Sequence, residues 1–154
     1  MKDKLIITSP AFKDGDVIPI QYTGRGEDSS PELHLSSINS NAKSLAIIMD
    51  DMDHPIPAYN HWVIWNIPVI SVIPADIPYG AYVPELNGAV QGRGYGKNRY
   101  RGPKPPFNRS HRYQFNVYVL DCALNLPGSA RKRDLLAAMD AHILQQGYLI
   151  GRFR

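Results

Sequence analysis

The sequence predicts a mainly β fold with one helix near the C-terminus. Residues 45–49 and 62–67 are apolar runs rich in Ile, Val and Trp, and each is too short for a typical helix. Such runs, bounded by Pro or Asn, are typical of buried strands. Residues 111–120 alternate between two faces with a period of two, which also indicates a strand. Helical periodicity is absent before residue 129.

The segments outside the two central runs predict short extended pieces joined by turns. A strand at residues 5–8 precedes the turn signal Asp14-Gly15-Asp16, and a polar loop over 21–30 leads to a short strand at 33–35. Prolines at positions 68, 74, 78 and 84 rule out a long helix there and predict loop with short extended pieces. Residues 88–107 carry five glycines and three prolines. They predict an irregular loop, either functional or disordered.

The C-terminal segment predicts the single helix, over residues 129–146. Ser129 is suited to cap the helix N-terminus, and Gly147 fits a C-terminal stop. Apolar residues recur at helical spacing, at Leu135, Leu136, Met139 and Ile143. Residues 148–153 then form a short strand or an extended tail.

Length and composition predict one cytoplasmic domain. A chain of 154 residues can bury a core without disulfides or structural metal, so residues 1–154 are expected to form a single domain. Cys122 is the only cysteine, which excludes an intrachain disulfide and a cysteine-based zinc site. No apolar run reaches the length of a signal peptide or the ~20 residues of a membrane span. We therefore expect no membrane span and a cytoplasmic location.

Charge is divided unevenly along the chain. Residues 1–90 carry a net charge of −6 and residues 91–154 one of +9, which together give +3. A basic second half could meet nucleic acid, an anionic surface or a small anion. Because the longest basic run is Arg131-Lys132-Arg133, we expect both halves to fold into one body with interspersed charges.

Acidic and imidazole side chains collect at the ends of the predicted strands. Asp51 and Asp53 follow the first central run, His61 begins the second, and His111 begins the strand at 111–120. Such strand-end groups could converge into a pocket beside the Gly/Pro loop.

Strand alternation assigns these side chains to faces of the predicted sheet. Asp51 shares its face with the apolar residues Leu45, Ile47 and Met49. His61 shares its face with Val63, Trp65 and Ile67. A carboxylate and an imidazole could then meet at the rim of one core.

Four ordered motifs and a compact length carry a resemblance to a known family. The motifs are D-M-D-H-P at 51–55, N-H-W-V-I-W-N-I-P at 60–68, Y-R-G-P-K-P-P at 100–106 and S-H-R-Y-Q-F-N-V-Y-V-L-D at 110–121. With F-x-x-G-x-x-I-P at 12–19, they resemble the phosphatidylethanolamine-binding protein family, also called Raf kinase inhibitor proteins, in its short bacterial and archaeal branch. The resemblance covers nearly the whole chain. It implies a large antiparallel sheet packed with a smaller sheet, plus a few short helices.

The resemblance also implies a non-enzymatic pocket for a small phosphorylated or carboxylate ligand, such as phosphate or a phosphoethanolamine headgroup. The positions that match the family's pocket are Asp51, Asp53, His61, Tyr100, Gly102, Pro105, Pro106, His111 and Tyr113. No cofactor and no metal are implied. Relatives further imply a regulated kinase or protease as the protein partner, and a homodimer.

A bare carboxylate would repel a bound anion, so the protons of this pocket matter. Asp51 could be protonated, could hold a histidine in its donor tautomer, or could pair with a cationic ligand group, and we favour the second. His61, His111 and backbone amides of the loop would then donate to the anion, and binding would strengthen as the histidines gain protons. Three residues depart from the family pattern and could alter the pocket, namely Met52, Lys104 and Arg109.

Two other functions compete with this interpretation. Carboxylates and imidazoles at Asp51, Asp53, His61 and His111 also suit a metal site or an acid/base enzyme, although no H-E-x-x-H or G-x-S-x-G motif is present. A basic, aromatic surface for single-stranded nucleic acid would use residues 93–112, with Tyr95, Tyr100, Phe107 and Tyr113. We predict neither an enzyme nor a stable nucleic-acid complex.

Overall fold

Ten strands and one α-helix form the part of the chain that the structure describes. This computed structural model covers residues 3–154, with Asp3 described by its backbone alone. The strands are β1 (Asp3–Lys4), β2 (Ile6–Thr8), β3 (Leu33–Ser36), β4 (Ser44–Asp51), β5 (Tyr59–Ile67), β6 (Val72–Ile73), β7 (Tyr82–Val83), β8 (Ala89–Gln91), β9 (His111–Leu120) and β10 (Ile143–Phe153). The α-helix is α1 (Lys132–Met139), and 3₁₀ turns lie at Ile20–Tyr22 and Pro84–Leu86.

The strands form two sheets, as the resemblance implies. The large sheet has the order β1-β10-β9-β4-β5-β8-β7, and the small sheet has the order β2-β3-β6. All described pairs within the sheets are antiparallel except the edge pair of β1 with β10, which is parallel. The predicted mainly β fold with a large and a small sheet is confirmed.

Both faces of the large sheet are covered, which explains why β4 is buried along its whole length. On one face, Leu45, Ile47 and Met49 pack into a cluster shared with the small sheet. On the other face, Ala46 and Ile48 pack into a second cluster that includes two residues of α1, Leu135 and Met139. Asp51 continues the alternation of the first face, so it lies at the end of the core between the sheets.

A β-bulge at His61 changes the alternation of β5. Met49 pairs with Trp62 and Asp50 pairs with Asn60, so His61 is an extra residue without a partner on β4. A bulge of this kind re-aims the side chain that it carries. His61 is thereby turned toward the core between the sheets, where its ring contacts Tyr113.

The predicted face of His61 is therefore wrong. Val63 and Trp65 pack under α1, on the face opposite to the core between the sheets. Ile67 returns to the core between the sheets, because Asn66 adopts a left-handed conformation with φ +57° and breaks the alternation a second time. Period-two alternation holds only while a strand stays regular.

The C-terminal prediction is wrong at both ends of the helix. Arg131, rather than Ser129, is the N-cap residue, and the helix ends at Met139. Ala141 then turns the chain with φ +67°, and residues 143–153 pair with β9 along its length. The hydrogen bonds of that ladder outweigh the helical spacing of Ile143, which lies in β10 instead.

Gly147 lies within β10 and does not stop a helix. It pairs with Val117, and a Cβ at this position would lie 2.5 Å from the carbonyl oxygen of Leu5. Its small size therefore allows a close approach between chain segments.

The proline-rich segment matches its prediction, whereas the glycine-rich segment is more regular than the sequence predicts. Residues 68–84 contain β6 and β7, as expected for short extended pieces. Residues 88–107 begin with β8, which pairs with β5 and β7, so this region is not loop throughout. Over residues 3–154, no helix has the length and apolarity needed to cross a membrane.

Candidate functional site

Three neighbouring strands bring the candidate residues to one end of the large sheet. β4 ends at Asp51, β5 carries His61 near its start, and β9 begins at His111. Asp51 pairs with Tyr113 of β9 and with Tyr59 of β5. Because these neighbours are antiparallel, the end of β4 lies beside the starts of β5 and β9.

Asp51 and His111 form a buried pair at this end of the sheet. His111 Nδ1 lies 2.8 Å from Asp51 Oδ2, and the two side chains are 9% and 4% exposed. Asp51 Oδ1 also accepts the backbone N–H of Asp53 at 2.9 Å. Because Nδ1 of His111 donates to the carboxylate, Asp51 fixes the orientation of the ring. Nε2 of His111 has no hydrogen-bond partner within residues 3–154.

His61 is buried beside this pair. Its Nδ1 donates to the carbonyl oxygen of Arg101 at 2.8 Å. Burial lowers the pKa of His61 below its usual 6.5, although the Arg101 carbonyl and the Asp51 charge act in the opposite direction. The neutral ring then presents Nε2 as an acceptor. His61 can therefore donate to an anion from Nε2 only after it gains a second proton.

A cavity of about 190 Å³ lies between these strands and the Gly/Pro loop. We call it the histidine pocket, and it is lined by Asp51, His54, Tyr59, His61, Tyr95, Lys104, Pro105, Pro106 and Tyr113. The volume is below the ~300–1,000 Å³ of pockets for drug-sized molecules, so the pocket suits a small ligand group. Five of the predicted site residues meet here, namely Asp51, His61, Pro105, Pro106 and Tyr113.

The family-like motifs do not single out two tyrosines of this lining, Tyr59 and Tyr95. Tyr59 stacks on His54 with ring centroids 4.1 Å apart, and Tyr95 lies edge-on to His61 at 5.1 Å. The guanidinium of Arg101 lies 4.1 Å from the ring centroid of Tyr95. Tyr59 pairs with Asp51 across β4 and β5, and this pairing is the signal that could have identified Tyr59. Tyr95 lies in the glycine-rich segment, where no strand pattern indicates its direction.

Asp53 forms an exposed ion pair and does not line the pocket. Its Oδ1 and Oδ2 accept from Arg112 Nη2 and Nε at 2.9 and 3.0 Å, and Oδ2 also accepts the Arg112 backbone N–H. The side-chain hydrogen bond from Arg112 lowers the pKa of Asp53. Met52 N–H donates to the Arg112 carbonyl at 2.8 Å, a bond that a proline at position 52 could not make.

Tyr100 and Gly102 support the pocket wall from behind. Tyr100 is buried in the core, where its hydroxyl donates to the carbonyl of Tyr22 at 2.6 Å. The Gly102 N–H donates to Asp28 Oδ1 at 2.7 Å, so it is not available to a ligand in the pocket. His111 likewise does not line the cavity and acts on it through Asp51.

The chain matches a known protein family over most of its length. A model of the phosphatidylethanolamine-binding protein family matches residues 8–154 of the chain. The chain belongs to this family. The phosphatidylethanolamine-binding fold therefore accounts for the order of the motifs and for the two-sheet architecture.

Relatives of this family member come from archaea and bacteria. A UPF0098 protein of Pyrococcus abyssi is 41% identical over 153 residues, covering 98% of this chain and 86% of the relative. A UPF0098 protein of Methanothermobacter thermautotrophicus is 44% identical over 146 residues, covering 94% and 95%. These matches place the chain in the bacterial and archaeal branch of the phosphatidylethanolamine-binding family.

Solved structures show the same fold. A phosphatidylethanolamine-binding protein homologue from Chlamydia trachomatis superposes with a TM-score of 0.84 at 35% identity, covering 98% of this chain and 97% of that one. Escherichia coli YbcL, described as a member of the mammalian phosphatidylethanolamine-binding family, gives 0.84 at 25% identity, covering 97% and 98%.

The geometry of this phosphatidylethanolamine-binding family member bears on the two competing interpretations, a metal-site or acid/base enzyme and a nucleic-acid-binding surface. Within residues 3–154, the one group of three metal-ligand side chains with all ligand atoms within 4.8 Å is Asp121, Cys122 and His142, none of which lines the histidine pocket. Asp51, His61 and His111 do not form such a group. For nucleic acid, Tyr100 and Tyr113 are buried and cannot stack on bases, whereas Tyr95 and Phe107 are exposed.

Proposed function

We propose that this protein is a non-enzymatic receptor for a small anionic headgroup, with phosphate or phosphoethanolamine as the ligand chemistry. The observation that carries the proposal is the histidine pocket, in which Asp51, bonded from behind by the buried His111, and the buried His61 face the exposed cation Lys104 across a small cavity. Family membership supports the proposal, because the pocket lies at the ordered motifs.

The two charge signs of the pocket favour a zwitterionic ligand. Lys104 can neutralise a phosphoryl group at the rim. An ammonium group can meet the Asp51 carboxylate, the acceptor Nε2 of His61 and the tyrosine rings. Burial raises the pKa of Tyr113, and the Asp51 charge adds to this effect, so its hydroxyl remains a donor. Phosphoethanolamine satisfies all of these groups at neutral pH, whereas inorganic phosphate satisfies only the donors.

Within residues 3–154, the lining of the histidine pocket contains no serine, threonine or cysteine that could act as a nucleophile. We further propose that ligand occupancy modulates a protein partner, of the kinase or protease class implied by the family, and that the protein acts in the cytoplasm as a homodimer. Sedimentation of the purified protein tests the homodimer.

A titration of the wild-type protein with phosphate and with phosphoethanolamine, at pH ~5.5 and ~8, tests the proposal. Calorimetry or NMR should show phosphoethanolamine binding at both values. Phosphate should bind mainly at the lower pH, because His61 becomes a donor only below its reference pKa of ~6.5. His61→Ala should lose binding, and His111→Ala should weaken it through Asp51.

His142→Ala is the matched control for His111→Ala. His142 Nδ1 contacts Asp121 Oδ1 at 2.9 Å, so it makes the same kind of pair outside the pocket. Binding in this variant should equal that of wild type. The proposal fails if neither ligand binds at either pH, or if His142→Ala weakens binding as much as His111→Ala.

A further inference from the structure

A second cavity adjoins the histidine pocket and has a different chemistry. It has a volume of about 520 Å³, and Tyr59 and Tyr95 border both cavities. Its outer wall is formed by Arg93 of the glycine-rich segment and by Arg131 and Arg133 at the start of α1. We call this cavity the arginine groove. The two shared tyrosines form a common border of the two cavities.

The arginine groove carries positive charge that the described residues do not neutralise. Arg93, Arg131 and Arg133 are exposed and form no ion pair within residues 3–154. Lys132 also lines the groove, but it is paired with Asp50 at 2.7 Å. No acidic residue of the described chain lines the groove.

The position of these cations costs helix stability. The N-terminus of a helix carries partial positive charge, so cations there are unfavourable. Arg131 is the N-cap residue, and Arg133 lies in the first turn. Asp134 lies in the same turn and accepts the Arg131 backbone N–H through Oδ2 at 2.9 Å, so it offsets part of this cost. The guanidinium groups of Arg131 and Arg133 form no ion pair within residues 3–154, so they remain available to an external anion.

The walls of the groove fit an extended peptide better than a nucleic acid. One face of the Tyr59 ring is covered by His54, and one face of the Tyr95 ring is covered by Arg101. Stacking of successive bases on these rings is thereby limited. Leu136 is 41% exposed beside the arginines and offers an apolar contact for a peptide side chain. A second copy of this chain would bring like charges together.

We propose that the arginine groove binds acidic residues of a protein segment whose phosphoryl or carboxylate group occupies the histidine pocket. The inference rests on the proposed function, and it names the class of partner as an acidic, anionically modified peptide. An extended chain rises ~3.3 Å per residue, so residues close to the modified one can reach the groove across Tyr95.

Binding of two synthetic peptides tests this inference. One carries a central phosphoserine with glutamates on both sides, and the other has alanines in place of the glutamates. Wild type should bind the glutamate peptide about tenfold more tightly at low salt. The variant R131Q/R133Q should lose about fivefold in affinity for the glutamate peptide and should keep its affinity for inorganic phosphate and for the alanine peptide.

The variant K4Q/K13Q is the matched control. It removes the same charge from two exposed lysines that line neither cavity, and it should bind both peptides like wild type. Equal affinity of wild type for the two peptides would overturn the inference. Equal weakening by K4Q/K13Q and R131Q/R133Q would do the same, as would tighter arginine-dependent binding of a single-stranded oligonucleotide.

Inorganic phosphate separates the two proposals. If wild type binds phosphate but does not prefer the glutamate peptide, the groove inference fails and the proposed function stands. If wild type binds neither phosphate nor phosphoethanolamine, the proposed function fails. In that case, the unphosphorylated glutamate peptide tests the groove inference. The inference is rejected if this peptide does not bind, or if its binding does not require Arg131 and Arg133.

Discussion

A histidine and an aspartate form a hydrogen-bonded pair twice in this structure, in different surroundings. His111 and Asp51 are almost fully buried, at 9% and 4% exposure, whereas His142 and Asp121 are 45% and 42% exposed. Water screens and hydrates the exposed pair, so its formation changes stability little. Water does not hydrate the buried pair in this way. Loss of one partner therefore leaves the other buried without its hydrogen-bond partner.

Asp51→Ala should lower the free energy of unfolding by about 3 kcal/mol, because it leaves a buried imidazole without its acceptor. It also removes the acceptor of the Asp53 N–H. Asp121→Ala is the matched control and should cost less than about 1 kcal/mol. Urea unfolding of both variants measures the difference. Equal losses of unfolding free energy would show that the buried Asp51–His111 pair stabilises the protein no more than the exposed His142–Asp121 pair.

His61 should make the protein less stable in acid. Burial lowers its pKa in the folded state below 6.5, so the unfolded chain binds more protons once the pH falls below that value. This contribution to stability is complete above pH ~6.5 and declines as the pH falls toward the folded-state pKa. Melting temperatures of wild type and His61→Gln between pH ~8 and ~5 should show a smaller decline in the variant.

His142→Gln provides the comparison for this pH series. Its exposed imidazole lies outside the pocket, so the variant should decline with pH as wild type does. A His61→Gln profile parallel to that of wild type would contradict the assignment.

At the level of the elements, regular patterns predict strands well and irregular residues limit the prediction. β9 has the bounds that its alternation predicts, since all ten of its residues pair with β10 and residues 113–120 also pair with β4. The helix prediction extends too far because Ile143 keeps the helical spacing beyond the turn at Ala141. Only the ladder with β9, formed by residues distant in sequence, decides the conformation there.

Ala141→Gly should distinguish the observed turn from a continuous helix. Ala141 has φ +67°, which costs an L-residue about 1 kcal/mol that glycine avoids. The variant should therefore be more stable by roughly 0.5–1 kcal/mol. Ala137→Gly, in the exposed part of α1, should instead lose about 1 kcal/mol. Chemical denaturation measures both values, and destabilisation by both glycines would indicate a helix through position 141.

Motifs predict part of the candidate site, and strand register supplies the rest. Asp51 and His61 lie in recognisable motifs and reach the histidine pocket. Tyr59 and Tyr95 reach it through the pairing of β5 and the path of the glycine-rich segment, which sequence spacing does not reveal. Gly102 shares a motif with the lining prolines, yet its amide is bound to Asp28, because a motif records a family's structure as well as its ligands.

At the scale of the whole molecule, the acidic and basic halves of the chain are interleaved. β9 and β10 come from the basic half, and β9 pairs directly with β4 from the acidic half. The central sheet is therefore incomplete in either half. The strand order therefore joins both halves in one folded body, as expected.

Fragments 1–90 and 91–154 should each remain unfolded when they are produced alone. Fragment 1–90 lacks β9, which pairs with one side of β4. Fragment 91–154 lacks β4, which pairs with one side of β9. Far-ultraviolet circular dichroism and NMR dispersion measure the outcome. A folded 91–154 fragment would show that the basic half is a separate unit.

The wall of the histidine pocket is held in place before any ligand arrives. Arg25 Nη2 donates to the Pro105 carbonyl at 2.7 Å, and the Gly102 amide is bound to Asp28. Ordering the loop therefore costs little of the binding free energy of a ligand. Small headgroups should consequently exchange quickly, with short residence times. Occupancy would follow the ligand concentration from moment to moment, as in a sensor, and would not store the ligand as a carrier does.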